Sequence, residues 1–282
     1  MKLSVCIITY NHENYIAQCV ESILFQIVDF EYEIVIGIDK SSDETLKICR
    51  GYQSKYPNLI KIIECTDNIG MMRNWVNTIK NCKGDFIAIC EGDDYWIDPY
   101  KLKKQVAFLI NNPKYVGCFH NTEERFEEET KSSILYCDFT HAKAISLKEL
   151  SRFNPIPTCS IVFVNKYVQD FPEWYSYLPI ADWPLHLINA QYGDFWYIPH
   201  IMGVHRHSLS STWSLRSQEK NSSVVVEVYD KMILGFHHNI EVRNLLIKGR
   251  RKFKFYKKFP LLNYGDYIYN KFKQILNVKA SN

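Results

Sequence analysis

The chain has 282 residues, 46% of them hydrophobic, and a formal net charge of +3. That is enough apolar material for one large α/β domain, or for a domain with an appendage. Nine scattered cysteines with no C-x-x-C pair exclude a disulfide framework and a cysteine zinc site, and point to reduced thiols. The apolar stretch after Met1 is too short for a signal peptide, and no apolar run approaches the length of a membrane span. The expectation is a cytoplasmic protein. The small net charge hides an asymmetry: residues 243–282 carry eleven Lys or Arg against one acid, Asp266, so this +10 segment leaves the rest of the chain at about −7.

In chain order, Leu3 to Thr9 is an apolar, β-branched strand, and Tyr15 to Phe25 carries apolar residues at helical spacing. Glu33 to Asp39 is a second strand. Ser42 is the N-cap candidate for a helix through Thr45-Leu46-Lys47-Ile48. Leu59 to Cys65 is a strand, Gly70 to Lys80 a helix and Asp85 to Cys90 a strand. Asp98-Pro99 reads as N-cap and first helical residue of a helix ending near Asn111. This alternation predicts βαβ units and a three-layered, parallel sheet. Beyond a strand at Val116 to Phe119 the pattern loosens. The acidic run Glu123 to Thr130 reads as a solvated loop or hairpin edge. Short elements follow: a helix at Ser146 to Phe153, a strand at Ser160 to Val164, a helix at Trp183 to Tyr192, and strands at Phe195 to Ile198 and Ile201 to His205. Val224 to Ile247 has helical apolar spacing.

The most informative segment is Glu91-Gly92-Asp93-Asp94, three carboxylates where a buried strand ends. Ligands of open parallel sheets bind at the carboxyl ends of strands. Carboxylates clustered there repel unless a cation joins them. Oxygen donors of this kind suit Mg²⁺ or Mn²⁺, which commonly also hold substrate phosphates. Thr9-Tyr10-Asn11 and Asp39 end neighbouring strands on the same edge. Asp39 can accept from a base N–H or a ribose hydroxyl, but Asp39 to Asp43 is equally good turn-and-cap sequence. Asn68-Ile69-Gly70 with Arg73 reads either as a loop and helix start or as a phosphate-facing turn.

These segments, taken together with Gly84-Asp85, resemble family 2 glycosyltransferases of the GT-A fold over residues 1 to about 120, and more loosely to about 210. The resemblance implies a Rossmann-like α/β/α domain with a mostly parallel sheet. Residues 1–120 would be its nucleotide-sugar half, 121–215 its acceptor half, and 216–282 a helical, basic extension. It further implies an inverting transferase of the bacterial surface-polysaccharide type, using a nucleotide-diphosphate sugar, commonly UDP-linked, and a saccharide or lipid-linked saccharide acceptor. Thr9 and Asp39 would hold the base, with Tyr10, Asn11, Asn68, Gly70 and Arg73 around the same nucleotide. Asp94 would bind the ion and Asp93 would lie nearer the ribose or sugar. Glu91 departs from the family, which has Asp there. Asp182 stands where the family carries Glu-Asp before a helix, which makes it the general-base candidate; a helix N-cap is the plainer role for the same residue. His205, or less well placed His207, would complete the metal shell or touch phosphate. Trp174, Trp183 and Trp213 are candidates for stacking on an acceptor sugar or for the core.

The segment Gly249 to Pro260 interleaves Arg and Lys with Phe253, Phe255, Tyr256 and Phe259. Such a pattern suits an anionic membrane surface at the inner face more than nucleic acid, with a solvated tail as the plain alternative. Two rival functions make different demands on the sequence. A sugar nucleotidyltransferase would want a glycine-rich triphosphate loop, and residues 9–16 contain no glycine. A glycan- or nucleotide-sugar-binding protein on the same scaffold would not need Asp39, Asp93, Asp94 and Asp182 all intact.

Overall fold

A computed structural model describes residues 1–127, 133–168, 170–207 and 217–258. The strands are β1 (Leu3–Thr9), β2 (Tyr32–Ile38), β3 (Ile60–Glu64), β4 (Phe86–Glu91), β5 (Tyr95–Trp96), β6 (Tyr115–Phe126), β7 (Ile134–Leu135), β8 (Lys143–Ile145), β9 (Val162–Val164) and β10 (Asp194–His207). The helices are α1 (Ile16–Leu24), α2 (Thr45–Lys55), α3 (Met71–Lys80), α4 (Lys101–Asn111), α5 (Leu147–Leu150), α6 (Asp182–Ala190), α7 (Gln218–Gly235) and α8 (Ile240–Lys258).

The strands form one sheet in the order β3-β2-β1-β4-β9-β6-β10-β5, with β7 on β6 and β8 on β10. β1, β2, β3 and β4 are parallel, and so are β6 and β10. The short β9 runs antiparallel between β4 and β6. All seven residues of β1 are buried, which is why it reads as a continuous apolar run: helices cover both faces. Alternation still sorts them. Leu3, Val5 and Ile7 pack with α1 and α4 through Ile16, Val20, Leu102 and Val106. Cys6 and Ile8 join the opposite layer with Trp75, Ile79, Leu185 and Leu187. The three-layer α/β/α architecture is therefore present.

Several boundaries differ from the sequence reading. Asp98 does not cap α4: its Oδ1 accepts from Tyr100 N–H at 2.8 Å in a turn, and the helix starts at Lys101 with Tyr100 as N-cap. α2 likewise begins behind Glu44 instead of Ser42. Of the two readings of the acidic run, the part up to Phe126 follows the hairpin one, pairing antiparallel with β7, and not the solvated loop. Those residues extend β6, between β7 and β10, and Glu124 is buried. Phe195 to Ile198 and Ile201 to His205 belong to one bent strand, β10, with register shifts at Ile198/Ile201 and Ile201/Gly203. Glu128 to Thr130, Ser208 to Ser210, Trp213 and residues 259–282 lie outside the described residues.

The expected helix over Val224–Ile247 is two helices, α7 and α8, parted at Phe236 to Asn239. Both dock on the body. Val228, Tyr229, Met232, Phe236, Val242 and Leu246 enter the core layer that holds Trp75 and Trp183. Tyr229 OH donates to Arg152 C=O at 2.7 Å, and Arg250 pairs with Asp230 at 2.6 Å. The described part of the basic segment is thus half of a two-sided helix rather than an independent tail. Val242, Leu246, Gly249 and Phe253 line its inner face. At Gly249 a Cβ would stand 2.1 Å from Ser151 C=O. Gly249→Ala should therefore destabilise the protein by about 1–3 kcal/mol in chemical denaturation, overriding alanine's better helix propensity. A neutral or stabilising outcome would mean that α8 is not held against Ser151.

Candidate active site at the carboxyl edge of the sheet

Parallel pairing sets Thr9 opposite Ile38 and Ile8 opposite Glu91, so Thr9, Asp39 and the Glu91–Asp94 turn share one edge. Asp39 is buried and fully engaged with backbone. Its Oδ1 accepts from Lys40 and Ile69 N–H at 3.0 and 2.9 Å, and its Oδ2 from Gly70 N–H at 2.9 Å. Asn68 Oδ1 also accepts from Gly70 N–H, at 3.2 Å. Gly70 has φ +83, a backbone that other residues rarely adopt, and it is the N-cap of α3. Asp39 thus shapes the Asn68–Gly70 turn as well as the strand end. Asn11, at φ +54, receives Ser42 N–H on its Oδ1 at 2.8 Å. Tyr10 and Arg73 are exposed on this side.

Gly92 brings backbone against Thr9 and His12: a Cβ there would lie 2.7 Å from Thr9 Oγ1 and 2.9 Å from His12 Nδ1. Both of those atoms are buried without a hydrogen-bond partner. His12 Nε2 lies 3.9 Å from Asp93 Oδ2. Nothing in the sequence marks His12, a polar residue in a loop with no motif of its own.

Asp94 is buried and half satisfied. Its Oδ1 accepts from Arg206 N–H at 2.8 Å; its Oδ2, beside the Cys159 thiol, makes no hydrogen bond of normal geometry. Burial raises the Asp94 pKa to about 7, with repulsion from Asp93 adding to it and His205 opposing. Burial, then repulsion from Asp94 and Asp93, holds the Glu91 carboxyl well above the ordinary range. The cluster is strained electrostatically in the way the sequence suggested.

β10 supplies the counter-charges. In register with Glu124 of β6, His205 puts Nδ1 3.0 Å from Glu124 Oε2, and His207 puts Nε2 2.7 Å from the same oxygen. Burial alone would lower the His205 pKa; Asp94, Glu124 and Glu91 overcome this and raise it to about 10. Arg206 points the other way. Its guanidinium lies 4.9 Å from the Tyr15 ring centre and 5.0 Å from that of Tyr95, and its Nη2 donates to Gln18 Oε1 at 2.6 Å.

Across the cleft, Asp182 is the first residue of α6, and the N-cap is Ala181, so the simple capping role is not the one observed. Burial raises the Asp182 pKa against the pull of the first-turn amides, His205 and Asn154. Asn154 Nδ2 donates to Asp182 Oδ2 at 2.6 Å. Asp182 is near enough to raise the Glu91 pKa in turn. Of the tryptophans that suit either an acceptor sugar or the core, Trp183 lies in the core and Trp174 is partly buried against it. Trp183 is 3% exposed, with Nε1 donating to Leu150 C=O at 2.7 Å, and Trp174 packs edge-on against Phe236 at 5.0 Å. Tyr136 lies close to Asp182 and Glu124, 38% exposed, with His205 edge-on at 6.4 Å.

With this geometry in view, likeness to known proteins is informative. The family model described as glycosyl transferase family 2 matches residues 4–168. The chain belongs to this family. An uncharacterized protein of Mycobacterium tuberculosis is 34% identical over 212 residues, 75% of this chain and 60% of that protein. The chain therefore spans less than two thirds of that relative's length. Among solved structures, Staphylococcus aureus TarS 1–349 in complex with UDP-GlcNAc superposes with a TM-score of 0.64 at 20% identity, covering 88% of this chain and 71% of that one. The mannosyltransferase PcManGT from Pyrobaculum calidifontis, in complex with GDP-Man and Mn²⁺, gives 0.62 at 15% identity, covering 95% and 80%. Both likenesses establish the GT-A fold.

A divalent cation fits the donor set. Asp94 Oδ2 has no hydrogen bond of normal geometry, the Glu91 carboxyl is pushed up by burial and by Asp94 and Asp93 beside it, and Glu124, His205 and His207 bring ligand-type atoms within 4.8 Å of one another. Asp94→Asn removes one charge while keeping an oxygen for Arg206 N–H. The variant without metal should be at least as stable as the parent. The rise in melting temperature that Mn²⁺ with UDP gives the parent should vanish. A full rise in the Asn variant would show that Asp94 does not hold the cation.

Proposed function

We propose that this chain is a metal-dependent, inverting glycosyltransferase of hexosyl type. It would move sugar from a nucleotide-diphosphate donor, UDP-linked by preference, to a saccharide or lipid-linked saccharide acceptor in surface-polysaccharide synthesis. The observation that carries the reading is the convergence of an acidic turn, a half-satisfied Asp94 and a buried, pKa-raised Asp182 on one cleft. The donors held by TarS and PcManGT, UDP-GlcNAc and GDP-Man, support the substrate class. Residues 1–120 form the nucleotide-sugar half, 121–215 the acceptor half, and the remainder the basic extension.

In this reading Thr9, Tyr10, Asn11, Asp39, Asn68, Gly70 and Arg73 surround the nucleotide, and Asp93 with His12 faces the ribose or sugar. Asp94 and His205 would hold Mn²⁺ or Mg²⁺, which when bound supplies Lewis-acid stabilisation of the leaving diphosphate. Asp182, held by Asn154, takes the proton from the acceptor hydroxyl as that oxygen attacks the anomeric carbon opposite the leaving group. A raised pKa suits it to that task. Tyr136 offers a face to the acceptor sugar. A binding protein on the same scaffold would have no use for a desolvated base placed beside the metal turn.

Asp182→Asn is expected to lower metal-dependent turnover of a UDP-sugar or GDP-Man by about 10² or more while donor affinity stays near that of the parent. Turnover within a few-fold of the parent would place the base elsewhere.

We further propose peripheral attachment at the inner membrane face through the outer side of α8. No helix among the described residues is long and apolar enough to cross a membrane. Lys248, Arg251, Lys254 and Phe255 are exposed on the side of α8 opposite its packed residues. Basic residues at an anionic surface contribute about 1 kcal/mol each, and salt screens them. Replacing Lys248, Arg251 and Lys254 together by Glu should release the protein from anionic vesicles in a sedimentation assay at low salt and leave donor binding intact. Equal binding of the parent to neutral and anionic vesicles, or no binding to either, would remove this reading.

A further inference from the structure

We propose that Glu124 is a positioning residue for the metal centre: it holds His205 by Nδ1, so that Nε2 is the ring nitrogen left for the cation. The inference rests on the reading that Asp94 and His205 hold that ion. Glu124 is 6% exposed on β6, in register with His205 on the parallel neighbour β10. Both of its oxygens lie at hydrogen-bond distance from His205 Nδ1, at 3.1 and 3.0 Å. A carboxylate accepts only, so Nδ1 keeps its proton toward Glu124, and Nε2 is the nitrogen that gives up its proton when a cation binds. Metal-bound histidines are commonly oriented in this way by a carboxylate.

The surroundings favour this role over direct ligation by Glu124. Its Oε2 already meets His207 Nε2 at 2.7 Å, and the His207 ring stacks on Phe126 at 4.4 Å. Thr122 Oγ1 donates to Oε1 at 3.4 Å. The carboxylate thus sits inside a ring of donors, whereas the oxygen without a partner belongs to Asp94. The β6–β10 ladder fixes the distance between Glu124 and His205 through backbone, so no mobile segment is needed to keep the contact.

Mn²⁺ titrated alone and with UDP, by calorimetry on the full chain, tests the role. Glu124→Ala should weaken Mn²⁺ binding by about 10–100-fold, the usual cost of losing such a partner. Glu124→Gln, whose amide oxygen still accepts from Nδ1–H, should stay within a few-fold of the parent. Imidazole ¹⁵N shifts of His205 in the Mg²⁺-loaded protein should report Nδ1–H in the parent and in Glu124→Gln, and lose that preference in Glu124→Ala. His205→Ala is the control for the underlying reading. If it leaves Mn²⁺ affinity unchanged, the metal assignment falls, and the inference with it. If it weakens binding while Glu124→Ala does not, the inference alone is overturned. Equal losses in Glu124→Gln and Glu124→Ala would also overturn it, by making Glu124 a ligand.

Discussion

Mutual repulsion among carboxylates in a desolvated cleft is the constraint on which the site depends. Burial raises the pKa of Glu91, Asp94 and Asp182; repulsion from Asp94, Asp93 and Asp182 adds to the rise at Glu91 and repulsion from Asp93 to that at Asp94, and burial makes each such interaction stronger than it would be in water. A chain that tolerates this needs compensation nearby. The protein supplies part of it from β10, through the His205 ring and the Arg206 backbone N–H, and leaves Asp94 Oδ2 without a hydrogen bond. The residual imbalance is a preference for positive charge at one defined point. A buried acidic cluster satisfied entirely by its own side chains would have no such preference and no reason to sit at a sheet edge.

The first half of the fold was legible because its signals are local. Strand ends such as Thr9 and Asp39, and the Glu91–Asp94 turn, are fixed by runs of buried residues directly before them. Glu124 was not legible, because five acids within seven residues look solvated when read locally. Its partner His205 stands 81 positions away, and only strand register brings the two together. Asn154 and Asp182, 28 positions apart, were hidden in the same manner. The tryptophans stayed open between core and acceptor site for a related reason: an aromatic residue carries no mark of whether a third layer will cover it. Trp183 is covered by Tyr229, which belongs to a helix almost fifty residues downstream.

The basic C-terminal segment shows how an average conceals a pattern. Its charge and aromatic content are real, yet Val242, Leu246, Gly249 and Phe253 recur at helical spacing and turn one side of α8 inward. The charges are consequently displayed by a helix braced on the catalytic layer through Tyr229 and Arg250, and their direction relative to the body is set by packing. A cationic face fixed in this way can orient the molecule on a surface, which a flexible tail of equal charge would not do.

β10 joins these arguments. Alternation along a strand sends neighbouring side chains to opposite sides. Here it sends His205 toward Glu124 of β6 and Arg206 between Tyr15 and Tyr95 beside α1, while the Arg206 backbone holds Asp94. Two consecutive residues therefore touch α1, the acidic turn and β6 at once. The bends at Ile198 and Gly203 are what carry this end of the strand across the sheet edge, and β5 pairs with it just there. Since both sides of the cleft are anchored on one ladder, a displacement of that strand end would alter the Asp94 contact and the His205 contact together. The two halves of the site are mechanically one unit, although the residues that bind them lie more than a hundred positions apart.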